Sequence, residues 1–432
     1  MDIERPTALD TLRITEADFR RIYEKKVPST TYLTHGIHSY TARLIPQIPR
    51  YFAERYANEG DIILDPFCGS GTTCLEAKLV GKDSIGIDIN PLAVLISKVK
   101  TTPLEKSELQ NAVKCVMLRV AEKKTFPLVN FPKIDYWFGK EAQLDLSRIR
   151  SVIFELEKEI DQTTFNFLLL CFSSIIRKSS LADQGMAKTY RSKRVFEKIK
   201  SGWTPKPIQY FKEAIEKNAE RIESYSRLID HNHRQVNIHK GDARNTKAIL
   251  EANGFKKVDL IITSPPYINA QDYFRSYKLE LLWLGMATTD QLIRLNRQAI
   301  GTEQPQDSPY TSFPKCENTL LNEILEEIWN GNKKKRRKKA YIIWQYFERM
   351  SAVFKELYGA AREGGHLCLV TGNNTICEKT IPTFNLLAQS AEQAGFTLID
   401  TYRDEIINRW LFPDRNHKCG TIKEEWIGLF KK

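Results

Sequence analysis

Two short segments of this 432-residue chain carry the residue types that bind and react. Asp65-Pro66-Phe67-Cys68-Gly69-Ser70-Gly71-Thr72-Thr73 follows directly on the apolar run Ile62-Ile63-Leu64. Thr263-Ser264-Pro265-Pro266-Tyr267 follows directly on Val258-Asp259-Leu260-Ile261-Ile262. Each is a turn at the carboxyl end of a short strand of the buried type, the edge at which open α/β sheets bind ligands. The first has the composition of a loop that cradles a cofactor. The second has that of a stiff cup for a planar base bearing an amino group.

In the first segment Gly69 and Gly71 let the backbone turn sharply and approach a ligand closely. A bare G-x-G is a weak signal, and the third glycine and lysine of nucleotide-binding loops are missing, which disfavours a P-loop. Three aspartates sharpen it. Asp65 leads the loop and can pair with a ligand ammonium group. Asp88 ends the next apolar run, where an acidic side chain can accept both ribose hydroxyls. Asp242 ends a third, where it can accept a hydrogen bond from an adenine amino group. Taken singly, each reads as readily as a solvated strand-end residue. Taken together, an amine, a ribose and an adenine bound in that order describe S-adenosylmethionine, with Pro66, Phe67, Thr72, Thr73, Ile89 and Ala243 completing the expected contour.

In the second segment, proline fixes φ and offers no N–H, so the Ser264 and Pro265 carbonyls face outward as acceptors. Two acceptors converging on an exocyclic NH₂ fix its orientation, and Tyr267 offers a stacking face of the kind that holds extruded bases. An isolated S-P-P-Y reads more readily as a rigid turn with its tyrosine in the core; the cofactor loop upstream favours the binding reading.

These motifs resemble those of the amino-group DNA methyltransferases, specifically the N4-cytosine type. Asp65–Thr73 is similar to the family's cofactor motif, and Gly86-Ile87-Asp88-Ile89-Asn90-Pro91 to its ribose-binding motif. Thr263–Tyr267 is similar to the catalytic [S/T]-S-P-P-Y associated with cytosine N4, where adenine N6 enzymes more often show N-P-P-Y or D-P-P-Y. Upstream, His38-Ser39-Tyr40-Thr41-Ala42-Arg43-Leu44-Ile45-Pro46 resembles the segment that closes one side of the cofactor site, which brings His38 and Tyr40 into the expected binding set.

The resemblance implies a class I, Rossmann-like α/β fold and S-adenosylmethionine as methyl donor. It implies catalytic roles for Ser264, Pro265, Pro266 and Tyr267. The target cytosine of double-stranded DNA would be flipped, stacked on Tyr267 and held through its amino group by Ser264 Oγ and the Pro265 carbonyl. It further implies a restriction–modification setting, in which a cognate restriction endonuclease acts on the same site. The alternatives are an adenine-N6 DNA or guanine-N2 RNA amino methyltransferase, and a DNA-binding module that has lost catalysis.

The elements that must position these residues are short apolar runs separated by helical stretches. Strands are expected at Ile62–Phe67, Ser84–Ile89, Val236–His239, Val258–Ile262, His366–Thr371, Thr397–Ile407 and Glu425–Phe430, the last two as an antiparallel hairpin. Helices are expected at Gly71–Leu79, Leu92–Val99, Phe154–Lys158, Phe165–Ile176, Phe211–Leu228 and Lys278–Leu284. Strand–helix alternation implies a mainly parallel sheet covered on both faces.

Two helical insertions interrupt it. The expected organisation is a cofactor-binding part at 1–103, a helical insertion at 104–235 as candidate target-recognition region, and a catalytic part at 236–432 with a second insertion at about 270–362. That second insertion includes a Gln/Pro/Ser-rich loop around Gly301–Pro314.

Lys and Arg total 65 against 53 Asp and Glu, a formal net charge of +12 with a sequence pI near 9.1. Such a balance suits a polyanionic partner, since each phosphate contact releases condensed counterions. Two basic segments are candidates for DNA contact. One is Lys188-Thr189-Tyr190-Arg191-Ser192-Lys193-Arg194 in the first insertion, where Lys188, Tyr190, Arg191, Lys193 and Arg194 mix charge with an aromatic ring. The other is Lys333–Lys339, including Lys335, Arg336 and Arg337, which reads also as a solvated face or a localisation signal. Eight cysteines, from Cys68 to Cys419, form no C-x-x-C pair, and neither they nor His35 and His38 stand at metal-ligand spacing. No apolar run approaches the length of a membrane span, and Met1–Pro6 is too polar for a signal peptide. A prokaryotic cytosolic or nucleoid protein is expected.

Overall fold

The computed structural model describes residues 14–25, 27, 29–185, 188–229, 234–268, 272–304, 310–331, 334–406 and 422–432. Met1–Pro6, Ala270, Lys333, Ile407, Cys419 and part of the Gly301–Pro314 loop, all singled out above, lie outside the described residues.

Among the described residues there are ten strands: β1 (Ile14–Glu16), β2 (Ile62–Asp65), β3 (Asp83–Asp88), β4 (Val236–Lys240), β5 (Val258–Thr263), β6 (Ala361–Thr371), β7 (Asn374–Ile376), β8 (Lys379–Ile381), β9 (Thr397–Glu405) and β10 (Glu424–Lys431). Eight of them form one sheet in the order β1-β9-β10-β6-β5-β2-β3-β4. Only β10 runs against its neighbours, pairing antiparallel with both β6 and β9; the remaining pairs are parallel. This order, reversing at the β2/β5 junction and closed by one antiparallel strand, is the class I methyltransferase topology. The central strands read as they do because both faces are covered. β2 and β5 are near-continuous apolar runs with Ile63, Leu64, Leu260, Ile261 and Ile262 all fully buried.

The expected strands are all present with end-shifts of a few residues, β6 starting five residues earlier than the apolar signal. Two features carried no clear signal: the short edge strand β1, which pairs with β9 through Ile14–Glu16, and the small β7–β8 hairpin. The piece expected at Phe154–Lys158 is the end of a longer helix, Lys140–Leu156.

The helices that matter to the site begin at the strand ends. Thr72–Leu79 starts from Gly71, whose φ of +74° is a left-handed value suited to glycine. Pro91–Thr101 has proline at its first turn and Asn90 as N-cap, its side chain accepting from the Leu92 N–H at 3.0 Å. Between β3 and β4 the chain builds a helical cluster around Gln162–Ile176, which is apolar on every side and therefore wrapped by its neighbours. Lys140–Leu156, Pro207–Leu228 and Pro91–Thr101 supply that wrapping. The same core takes in Phe274, Tyr277, Leu279 and Trp283, from the chain just after the Ser264–Tyr267 turn. The insertion thus shares one hydrophobic core with the elements flanking both motifs. Beyond β5, the 27-residue helix Lys334–Ala360 packs on the other sheet face with Thr319–Trp329. Among the described residues no helix is long and apolar enough to cross a membrane.

Candidate active site

The strand order reverses between β2 and β5, and there the carboxyl ends of two strands diverge to leave a crevice. The two ends touch: Thr263 Oγ1 donates to Asp65 Oδ1 at 2.8 Å. From this junction opens a cavity of about 910 Å³, counting the part open to solvent. Its wall joins the first loop (Asp65, Pro66, Phe67, Gly69, Ser70, Thr72, Thr73), the end of β3 (Asp88, Ile89, Asn90), the end of β4 (Gly241, Asp242, Ala243) and the second loop (Ser264, Pro266). Tyr40, Ala42, Arg43 and Leu44 close one side; Tyr273, Phe274, Gln298, Ala299 and Ile300 close another.

The three aspartates differ in how they are held. Asp65 is buried, and its Oδ1 also accepts the Phe67 N–H at 3.1 Å. Asp88 receives the Gly69 N–H on Oδ2 at 2.9 Å and the Asn90 N–H on Oδ1 at 2.8 Å. Burial pushes both carboxyls up to about 6, because little water reaches the charged form. Asp242 is half-buried and locked to Arg244. Its Oδ1 accepts the Arg244 N–H and Nε at 3.0 Å each, and its Oδ2 accepts Nη2 at 2.5 Å. Burial opposes its ionisation, yet the Arg244 bonds hold it below the usual carboxylate range. The cavity thus offers a buried acid, a half-buried one held by two backbone N–H groups, and an ion-paired acid. A ligand with a cationic amino-acid end, a ribose and a base fits that donor set: it brings positive charge where desolvated carboxylates lack it, and N–H or O–H donors to every strand end.

Tyr40 is the centre of an aromatic stack, lying on Tyr277 at 5.0 Å between centroids and 3° between planes, and on Tyr273 at 5.9 Å and 20°. The Tyr277 phenol accepts the Thr41 N–H at 2.7 Å. The upstream closing segment is therefore fastened to the chain that follows the second loop. In that second loop Ser264 and Pro266 line the cavity.

Four positions expected at the site do not line the cavity. His38 is buried, with Nδ1 against the Ser39 carbonyl at 2.7 Å and Nε2 against Ser173 Oγ at 3.2 Å, so it ties the closing segment to the insertion. Gly71 serves the loop itself: a Cβ there would lie 2.8–3.0 Å from Ser97 atoms. Pro265 is buried. Tyr267 is half-buried, and its phenol donates to Glu425 Oε1 on β10 at 3.3 Å. Burial, and then the charge of Asp404, push Glu425 up to about 7; Asp404 is its register partner across β9 and β10. Sequence reasoning missed Asn90, Ser70, Arg244, Tyr273 and Gln298. Asn90 was legible from the Asn90-Pro91 helix start. Tyr273 and Gln298 carry no local signal, since only the packing of distant helices brings them to the cavity.

The pattern of a DNA methylase family (N6_N4_Mtase) matches residues 12–99, the closing segment and cofactor loop just described. The type II methyltransferase M.MvaI of Kocuria varians is 25% identical over 418 residues, covering 91% of this chain and 88% of that protein. M.BsoBI of Geobacillus stearothermophilus is 28% identical over 388 residues, covering 80% and 75%. M.MjaII of Methanocaldococcus jannaschii is 39% identical over 139 residues, covering 31% and 25%. The chain is thus similar to a DNA methylase family over its cofactor half and to type II methyltransferases over most of its length.

The strand-end carboxylates Asp65, Asp88 and Asp242 on the cavity wall suit the ammonium, ribose and adenine groups of S-adenosylmethionine. Its basic segments are less free than their composition suggests. Lys188 pairs with Glu303 at 2.6 Å. The Arg191 guanidinium lies between the Tyr136 and Phe196 rings, 4.7 and 4.5 Å from their centroids, and donates to the Tyr136 carbonyl at 2.9 Å. Tyr190 is half-buried, its carbonyl accepting the Asp183 N–H at 2.8 Å. Lys193 and Arg194, opening the helix Lys193–Lys200, are exposed. In the second run Lys335 is exposed, Arg336 lies 4.0 Å from Glu378, and Arg337 sits over the Trp329 ring at 5.3 Å. Lys193, Arg194 and Lys335 thus stay exposed, whereas Lys188, Arg191 and Arg336 are engaged by neighbours.

Proposed function

We propose that this chain is a DNA methyltransferase that modifies the N4 amino group of cytosine at a specific site in double-stranded DNA, as the protective half of a restriction–modification pair in a prokaryotic cytosol. The reading rests on one observation: Ser264, in a Thr-Ser-Pro-Pro-Tyr turn, faces the same cavity as Asp65, Asp88 and Asp242. Bound there, S-adenosylmethionine supplies an electrophilic methyl group on sulfonium. The residues of this chain do the rest by position. Asp65 takes the ammonium end, Asp88 the ribose hydroxyls and Asp242 the adenine amino group, with Arg244 fixing that carboxylate. The Ser264 hydroxyl, and the Pro265 carbonyl once turned toward the cavity, would accept from the exocyclic NH₂ of an extruded cytosine, aiming the nitrogen lone pair into the cavity and stabilising the positive charge on nitrogen as the N–C bond forms, the methyl–sulfur bond breaks and a proton leaves to solvent. Tyr267 stacks on the base, which requires its ring to face the cavity mouth while its phenol stays on Glu425.

The exposed Lys193 and Arg194 support a role for the helical insertion in holding the duplex, with phosphate contacts positioning the protein before any base is read. The deciding experiment is nucleoside mass spectrometry and modified-base sequencing of DNA from cells expressing the chain. N4-methylcytosine at one recurrent sequence supports the reading, and N6-methyladenine overturns it. A restriction endonuclease cleaving the unmodified form of that sequence would complete the pair.

A further inference from the structure

The chain Gln298-Ala299-Ile300 closes the cavity from above, and what holds it is a pair of arginines. The helix Thr289–Gln298 ends here, leaving its last carbonyls without intrahelical donors. Arg349, from the middle of the long helix Lys334–Ala360, supplies the donors: Nη1 to the Gln298 carbonyl at 3.2 Å and the Ala299 carbonyl at 2.8 Å, and Nη2 to the Arg297 carbonyl at 3.1 Å. Arg244 shares its Nη2 between Asp242 Oδ2 and the same Gln298 carbonyl, the latter at 3.2 Å, while its Nε holds Asp242 Oδ1. One carbonyl thus joins the two guanidiniums.

The next residues reach the other loop. Gly301 has φ of +80°, and a Cβ placed there would lie 2.9 Å from the Tyr267 carbonyl oxygen and 3.4 Å from Pro266 Cβ. Its backbone is packed directly on the Pro-Pro-Tyr turn. A continuous run of contacts therefore leads from Asp242 through Arg244, the Gln298 carbonyl, Arg349, the Ala299 carbonyl and Gly301 to Pro266 and Tyr267.

We propose that Arg349 is a positioning residue that links occupancy of the Asp242 end of the cavity to the placement of the Ser264–Tyr267 turn, so that cofactor and DNA strengthen each other's binding. A ligand amino group that draws on Asp242 competes with Arg244 for the carboxylate, shifts the Arg244 fork against the Gln298 carbonyl, and through the Arg349 clamp moves the segment seated on the turn. Arg349 is half-buried and remains cationic; burial and the neighbouring Arg244 bring it down to about 10, far above neutral pH. By reciprocity, whatever seats the turn also seats Asp242. The inference rests on the reading of Ser264–Tyr267 as the target turn.

The test compares two affinities, each measured with and without the other ligand. S-adenosylhomocysteine replaces the methyl donor so that no turnover occurs, and the DNA is a duplex carrying the site mapped by modified-base sequencing. In the wild type, saturating S-adenosylhomocysteine is expected to tighten DNA binding at least fivefold, within the usual range of coupling, and the reverse by the same factor. In Arg349→Met the factor falls to within twofold of unity, while each ligand alone binds within about threefold of wild type. Arg349→Lys, which keeps charge but not the fork, falls between them.

A merely structural role gives a different pattern: both single-ligand affinities drop and the coupling factor is unchanged, which overturns the proposal. So does a wild-type factor of one. If Arg349→Met does not fold, Gly301→Ala tests the same link, because its Cβ meets the Tyr267 carbonyl. Expected there are a coupling factor near one and lowered methyl transfer with S-adenosylhomocysteine affinity retained, and an unchanged coupling factor refutes the link. Failure of the target-turn reading is seen separately, as undiminished methyl transfer by Ser264→Ala and Tyr267→Ala.

Discussion

Replacing Asp88 tests the cofactor end of the cavity most directly, because every acceptor site on its carboxylate has an identifiable use. An ionised carboxylate offers about four lone-pair sites. Two are filled by the N–H groups of Gly69 at 2.9 Å and Asn90 at 2.8 Å, which leaves one on each oxygen for neighbouring ribose hydroxyls. A hydrogen bond to a charged partner contributes about 1.5–3 kcal/mol. Losing one such net contribution in Asp88→Ala weakens S-adenosylmethionine binding by roughly 10- to 150-fold.

The same substitution strips two acceptors from the cofactor loop, so unfolding free energy should fall as well, by about 1–3 kcal/mol for a donor left without its partner. Asp88→Asn should be intermediate, since its NH₂ must confront one of the two backbone N–H groups. Calorimetric titration beside urea unfolding separates the two effects. The wild-type affinity should also rise with pH, because Asp65 and Asp88, both raised to about 6 by burial, must ionise to receive a cationic ligand. A folded Asp88→Ala that binds within twofold of wild type, or a wild-type affinity flat from pH 5 to 7.5, would refute the placement.

Ser264→Ala and Tyr267→Ala should stay folded and bind S-adenosylmethionine nearly normally, yet lose most tritiated methyl transfer to DNA. The tyrosine change removes a stacking contact of roughly 1–3 kcal/mol, and Tyr267→Phe, which loses only the Glu425 bond, should keep much of the rate. Gly71→Ala should cost at least roughly 1–2 kcal/mol from the left-handed conformation alone, and its Cβ has Ser97 backbone 3.0 Å away; a wild-type unfolding midpoint would show that the loop accommodates it. His38 is held down to about 4 by burial, against 6.5 in an exposed chain, so unfolding takes up a proton. Its contribution, roughly 3 kcal/mol by the conversion of pKa shift to energy, is present above pH 6.5 and lost as pH falls from 6.5 toward 4. His38→Gln should flatten the acid side of the stability curve by one proton, and an unchanged slope in urea unfolding would contradict it.

What the chain order alone determined is local. Ile62–Asp65 and Val258–Thr263 are legible because strands buried on both faces are near-continuous apolar runs, Asp83–Asp88 because its isoleucines alternate with small residues before Asn90-Pro91, and the turns because glycine permits and proline fixes unusual backbone angles. Asp65, Asp88, Asp242 and Ser264 follow, since each sits a residue or two from such a strand end, and all four line the cavity. What depended on residues far apart was decided only by the tertiary structure.

His38 and Tyr267 stand in the expected motifs, but their polar atoms are taken by Ser173 and Glu425, from elements 135 and 158 residues away. Arg191 reads as a free cation in a basic run, yet two rings from separate helices enclose it. Tyr273, Gln298 and Arg349 carry no local signal, because side-chain partnerships across a fold depend on which helix faces meet, and that is set by the packing of the whole core. A strand end is encoded by its own half-dozen residues; a clamp such as Arg349 on three carbonyls is encoded by the fit of two helices distant in the chain.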